Sequence, residues 1–149
     1  MSLVGTLARF FIENRARNMS YAQACENLKS GGETALAALR QAQDTPANRE
    51  QAGHVISMER WGAARLRALL EGSGEKTDES GSYRPAPELD MAALAQEFEK
   101  ARAETLALTE RLEPMASFRA RHNEFGRLSG KAWLVYLNNH ANMESHDLK

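Results

Sequence analysis

Apolar residues return at steps of three and four along four separate stretches of this chain, and one long polar segment divides the four into two pairs. That spacing places each apolar set on one face of a helix. Alternating apolar and polar runs are absent, and Ala, Leu, Glu, Gln and Arg fill the periodic segments. The pattern predicts an all-α fold.

The first long helix is expected over residues 20–42, with Ser20 as its N-cap and a buried stripe of Tyr21, Cys25, Leu28, Gly32, Leu36 and Leu39. Gly31 and Gly32 weaken a helix, so Gly32 on the stripe reads as a point of close helix approach. Cys25, on the same stripe, reads as a packing residue. "DTPAN" is a turn, and Asn48 with Gln51 has the spacing of a capping box. The second helix is expected over 48–71, with a stripe of Val55, Met58, Gly62, Leu66 and Leu69 that ends at Gly72.

The third helix is expected over 90–113, capped by Asp90 and ended by Pro114, with Met91, Leu94, Phe98, Ala101, Thr105, Leu108 and Leu112 inward. The last is expected over 129–147, with Trp133, Tyr136, Leu137, His140 and Met143 inward. A shorter helix, 3–15, leads the chain. "MASFRARHNEFG" reads as irregular, with His122 at the surface.

Between the second and third helices, residues 72–88 are glycine, serine, proline and charge. This is longer than most connections in a compact domain. A short loop joins antiparallel neighbours, whereas a long one can travel the length of a bundle. The second and third helices are therefore expected to run parallel in a four-helix bundle.

The 149 residues suit a single domain, 1–149. A net charge of -1 offers nothing to nucleic acid or an anionic membrane. One cysteine cannot form an internal disulfide and fits a reducing compartment. No segment has the apolar length of a membrane span, and the N-terminus lacks the pattern of a signal peptide. A soluble cytoplasmic protein is the expectation.

The polar residues on the stripes carry the functional signal. His54 borders the buried face of the second helix, and His140 lies on that of the last. Glu144, four residues beyond His140, is turned from it by only about 40°. That i,i+4 spacing lets the two grip one ion. His146 is turned by about 120° and sits at a fraying end, so it is expected in solvent. Two imidazoles and a carboxylate form a three-ligand set with a position left open. Composition alone leaves the other reading in place, that these histidines are simply hydrogen-bonded or exposed. No serine has a helix-spaced His and acid partner, and "GSGEKTDESG" lacks the ending of a phosphate-binding loop.

"QAGHVISMERWGAARLRALLEG", with His54, Glu59 and Trp61, resembles the second helix of the DinB/YfiT-like superfamily of four-helix bundles. "AWLVYLNNHANMESHDLK" looks like its histidine-bearing final helix, and the order of elements also fits. The resemblance implies an up-down-down-up bundle with a long crossover between its second and third helices. It also implies a divalent metal, zinc or nickel, held by one histidine of the second helix and two residues of the fourth. Carried over, the ligands are His54, His140 and Glu144, with Glu144 where the family more often has histidine. A second register, resembling the ClbS-like branch, aligns Asn142 and His146 instead and makes His146 the alternative third ligand.

The implied activity is metal-dependent work on a small electrophile, by thiol transfer with a low-molecular-weight thiol cosubstrate or by hydrolysis, in stress or detoxification. The alternative is a non-catalytic dimeric binding module that has lost the full ligand set. Homodimerisation is implied as well, with "LVGTLARFF" as the expected contact.

Overall fold

A computed structural model describes residues 3–73 and 76–149, apart from the side chain of Leu3. Gly74 and Glu75, within the expected crossover, and the first two residues lie outside the described set. The described chain is mostly helical. Its helices are α1 (Leu3–Arg17), α2 (Tyr21–Gln41), α3 (Pro46–Leu70), α4 (Met91–Leu112) and α5 (Gly130–His146), and a hairpin of β1 (Arg119–His122) and β2 (Gly126–Ser129) precedes α5. None of these helices is long and apolar enough to cross a membrane.

The expected caps form at Ser20 and Asp90, and Ser129 caps the last helix, each side chain accepting a hydrogen bond from the third backbone N–H of its helix. Ser20 and Gln23 complete a capping box. The start of α3 departs from expectation. Thr45, not Asn48, is the N-cap, and Pro46 opens the helix, where its missing N–H does no harm. Asn48 instead donates to the carbonyls of Gln43 (2.8 Å) and Lys149 (2.7 Å), joining the α2–α3 turn to the last residue.

The four long helices pack so that α2 touches α4 and α5, and α3 touches the same two. The face of α2 is turned slightly from the expected one. Ala24, Leu28, Gly32, Ala35 and Leu39 are buried, while Tyr21, Cys25 and Leu36 are half-buried. Small residues lie innermost because the neighbours come close: a Cβ on Gly32 would meet Arg102 Nη1 at 2.8 Å. On α5 the expected stripe holds through Leu137, but Met143 is 69% exposed. Leu108 of α4 is half-buried, and Arg102 and Thr109 are buried in its place on that face.

The core forms two clusters. One, around Leu28, Leu66, Leu112, Leu128 and Trp133, also takes in the hairpin and α1. The other, around Leu39, Ile56, Leu94 and Phe98, fills the opposite end of the bundle. Between them Arg102 and Glu59, both buried, form a two-bond ion pair at 2.8 and 3.0 Å. Thr105 Oγ1 donates to the same carboxylate (2.7 Å), and Arg102 Nη1 to the Leu28 carbonyl (2.6 Å).

The hairpin corrects the reading of "MASFRARHNEFG" as irregular. Arg119 pairs with Ser129, Ala120 with Leu128, Arg121 with Arg127 and His122 with Gly126. Three residues, Asn123 to Phe125, close the turn, and Gly126 follows at φ 78°, a backbone conformation that glycine adopts without strain. Burial alternates along β1, so Ala120 and His122 face inward. The leading helix α1 packs on α5 and β2. Its buried Glu13 accepts from Ser129 N (2.8 Å) and Oγ (3.1 Å).

Candidate functional site

His54 lies in the third turn of α3, and His140 and Glu144 lie in the last turns of α5. The packing of α3 on α5 brings the three together, with one ligating atom from each within 4.8 Å of the others. The two imidazoles are tilted by 59°, their centroids 5.0 Å apart. All three residues are half-buried.

Gln51, three residues before His54, reaches across to α5. Its Nε2 donates to the Glu144 carboxylate and to the Glu144 carbonyl (3.2 Å). A helix-borne amide thus fixes the rotamer of the acid, as outer partners do around a ligand set. Burial, and next the neighbouring His54, push the His140 pKa down to about 4. At neutral pH this ring is uncharged, the form in which an imidazole lone pair is free to bind a cation.

A cavity of about 330 Å³ opens beside the cluster. His54, Met58 and Trp61 of α3 and Tyr136 and His140 of α5 line one side, and His122 and Phe125 of the hairpin the other. Glu79 and Ser80 of the crossover stand at its edge. Asp78 holds this wall in place. Its carbonyl accepts from Trp61 Nε1 (2.9 Å), Arg65 Nη2 (2.9 Å) and Asn123 Nδ2 (3.2 Å), and its carboxylate from Arg65 and Tyr83. Asp78 therefore fastens the crossover both to α3 and to the hairpin. Burial, then the charges of Glu124 and Glu144, raise the Tyr136 pKa, so its hydroxyl keeps its proton.

His122, expected at the surface, is 3% exposed and belongs to this cavity. Its ring stacks on Phe125 at 4.2 Å and meets Tyr136 edge-on at 4.7 Å and Trp61 at 4.9 Å. Nδ1 accepts the backbone N–H of Glu124 and of Phe125, both at 3.2 Å. Its Nε2 and the Oδ1 of Asn123 are buried with no partner among the described residues. Sequence reading missed His122 and the bracing role of Gln51. The alternation of Ala120 with His122, followed by a turn and glycine, was the available signal for His122, but each strand is only four residues long.

The remaining sequence candidates fall outside the cluster. His146 is exposed, as expected. Asn142 Nδ2 donates to the Asn138 carbonyl (2.8 Å) and side-chain oxygen (3.1 Å) on its own helix. Glu59 is occupied by Arg102 and Thr105, and its part is in the core. Two imidazoles and a carboxylate at this spacing form a group that could hold a metal ion.

The model of the DinB superfamily matches residues 14–144, which includes α2 to α4, the hairpin, α5 as far as Glu144 and every residue of the cluster. The chain belongs to the DinB superfamily. Members of the DinB superfamily are often metal-binding. No curated protein and no solved structure gave a significant match.

Proposed function

We propose that this DinB superfamily chain is a metal-dependent enzyme acting on a small electrophile, by thiol transfer or hydrolysis, with His54, His140 and Glu144 as the metal ligands. The observation that carries this reading is their convergence beside a cavity, with His140 held neutral and Glu144 braced by Gln51. Two nitrogen donors and one oxygen donor suit zinc or nickel. Such an ion supplies Lewis acidity, which makes a nucleophile of a water or thiol at neutral pH. The chain's own residues orient the substrate against Met58, Trp61 and Phe125 and exclude bulk water from one side. Tyr136, protonated at neutral pH, is placed to donate a hydrogen bond.

Three contact sets support an up-down-down-up bundle. Met91 N, at the start of α4, donates to Asp44 just before α3 (3.1 Å), and Glu97 pairs with Arg60, so α3 and α4 run together. Tyr21 at the start of α2 donates to Thr109 near the end of α4, so those two run oppositely. The ends of α2 and α5 meet through Gln43 and Lys149. A homodimer is part of the proposal. Val4, Leu7, Phe10 and Phe11 leave one face of α1 apolar and exposed while its other face is buried on the bundle. A cytoplasmic setting and a detoxifying role accord with one free cysteine and a small cavity.

A different observation favours a second reading, a binding module without catalysis: Glu144 stands where the family more often has histidine. Metal analysis of untagged protein separates the two. The enzyme reading expects about one zinc or nickel ion per chain, and a rise in melting temperature when either is added to the stripped protein. Protein that comes out metal-free and gains no thermal stability from either ion favours the module.

A further inference from the structure

The cavity contains a phenol with nothing to bind. Tyr136 is 8% exposed and lines the cavity, and its hydroxyl makes no hydrogen bond among the described residues. The partnerless side-chain atoms sealed from solvent are His122 Nε2 and Asn123 Oδ1, so the Tyr136 hydroxyl keeps accessible surface and can be reached. Buried polar groups in folded proteins almost always have partners, and an exception calls for a ligand or another role. The charges around the cavity limit what that ligand is. Burial, then the charges of Glu124 and Glu144, raise the Tyr136 pKa, so two carboxylates lie close to this hydroxyl. The Glu124 carboxylate has no ion pair or hydrogen bond among the described residues, and Glu79 also lines the cavity. No Lys or Arg lines it among the described residues, and the nearby Arg65 is paired with Asp78. The walls are aromatic. The rings of Phe125 and Tyr136 stand at 80° to one another with centroids 5.8 Å apart, and Trp61 lines the same space. Ring faces and carboxylates both attract a positive charge, and an anion here would meet acids with no cation to answer it.

We propose that the cavity selects a protonated amine carried on an apolar body, with the ammonium group between the Glu124 carboxylate and the Tyr136 hydroxyl. An ammonium group has three donors and no acceptor. One N–H donates to Tyr136 Oη and another to Glu124, while the apolar body lies against Met58 and Phe125. The hydroxyl has lone pairs for this and keeps its own proton to donate elsewhere. Glu124 draws the positive group toward the hairpin, which leaves the other end of the ligand to face His54 and His140. This names a substrate class and rests on the reading that the cavity serves the His54–His140–Glu144 cluster. Glu124 and Tyr136 set specificity and take no part in holding a metal.

The test is a chemical-shift titration of the full, zinc-free chain at neutral pH and low salt with benzylammonium. Benzyl alcohol is the uncharged probe of like shape, and benzoate is the anion. Benzylammonium is expected to bind more tightly than benzyl alcohol by about threefold to tenfold, and benzoate most weakly. Glu124→Gln keeps the shape of an exposed side chain and removes its charge. It is expected to weaken benzylammonium by about threefold and leave benzyl alcohol unchanged. Tyr136→Phe keeps the ring and is expected to weaken benzylammonium by a similar factor. Glu110→Gln, an exposed acid on α4, removes the same charge away from the cavity and is expected to change nothing. Equal affinity for benzylammonium and benzyl alcohol, or an equal loss in Glu124→Gln and Glu110→Gln, overturns the proposal. Zinc uptake is measured separately on each sample. Glu124→Gln is expected to keep it, and loss of zinc in that variant overturns the proposal by making Glu124 a ligand. Selectivity for benzylammonium in a wild-type chain that takes up no zinc supports the proposal and removes the metal reading instead. A chain that takes up zinc and does not distinguish the probes overturns the proposal and leaves the metal reading standing.

Discussion

Two polar groups of residues sit inside this molecule, and they are built in opposite ways. The Glu59–Arg102–Thr105 knot is closed. Both carboxylate oxygens and three guanidinium and hydroxyl groups are paired, and Arg102 also reaches a backbone carbonyl of α2. The His54–His140–Glu144 cluster and its neighbour His122 are open. One histidine is held neutral at each of two places, and His122 Nε2 has no hydrogen-bond partner among the described residues. Both groups draw on α3, the first with Glu59 and the second with His54, five residues apart. A buried charge pair with all its bonds made joins helices and has nothing left for chemistry. A half-buried set of imidazoles and a carboxylate whose bonds are not all taken up inside the protein is available to a ligand.

Breaking the closed group should give the largest effect on folding. Arg102→Met leaves Glu59 charged and alone, and is expected to destabilise the chain by about 3–5 kcal/mol in urea unfolding. Adding Glu59→Leu to it should restore a large part of that loss, since two apolar residues leave no buried charge. A double variant as unstable as Arg102→Met alone would show that the knot is valuable for more than its own pairing.

The open group should respond the other way, with metal uptake lost and folding kept. His54→Ala or His140→Ala is expected to abolish the zinc-induced rise in melting temperature while the metal-free chain melts near the wild-type value. Glu144→Ala should bind zinc distinctly more weakly. Gln51→Leu, which frees the acid, is expected to lower affinity by about tenfold to a hundredfold by calorimetric titration. His146→Ala should change nothing. Loss of binding in His146→Ala alone would reverse the choice of ligands.

The pH dependence of stability gives a middle-sized effect. The folded-state pKa of His122 is about 4 against an ordinary 6.5, so between those values the unfolded chain binds a proton that the folded chain does not. Stability therefore falls as pH drops from about 6.5 to 4, by up to about 3 kcal/mol from this residue. His122→Phe, which has no proton to bind, should remove about half of that slope, because His140, with the same pKa of about 4, supplies a comparable share. An unchanged slope would place the acid sensitivity elsewhere.

The smallest expected effect on the fold comes from the exposed face of α1. Phe10→Asp with Phe11→Asp should turn a dimer into a monomer in sedimentation while leaving zinc uptake and melting of the monomer nearly unchanged. This pair is a cleaner probe than removing residues 1–15, because Glu13 also secures the start of α5. A monomeric wild type would retire the dimer.

The helices and most of their caps were legible because their signals are local. Three- and four-residue steps, Ser20, Asp90, Ser129, Pro114 and Gly72 act through neighbours within a turn or two. His54, His140 and Glu144 were legible for the same reason, once their helix faces were known. Errors fell where local signals compete or run out. Thr45 and Asn48 are both good caps, and the geometry of Pro46 chose between them. Tyr21 and Cys25 look more apolar than Ala24, but the close approach at Gly32 favours the smaller face.

By itself the sequence determined where the chain is helical and that His54, His140 and Glu144 lie on or beside inward helix faces, because each depends on spacing along one segment. Only the tertiary structure decided that His122 is buried, that Gln51 braces Glu144, that Asp78 fastens the crossover, and that Glu59 belongs to the core and not to the site. Each of those is a contact between distant segments. Its existence depends on how helices are rotated and how a short hairpin is laid against them, and no periodicity within a single segment carries that information.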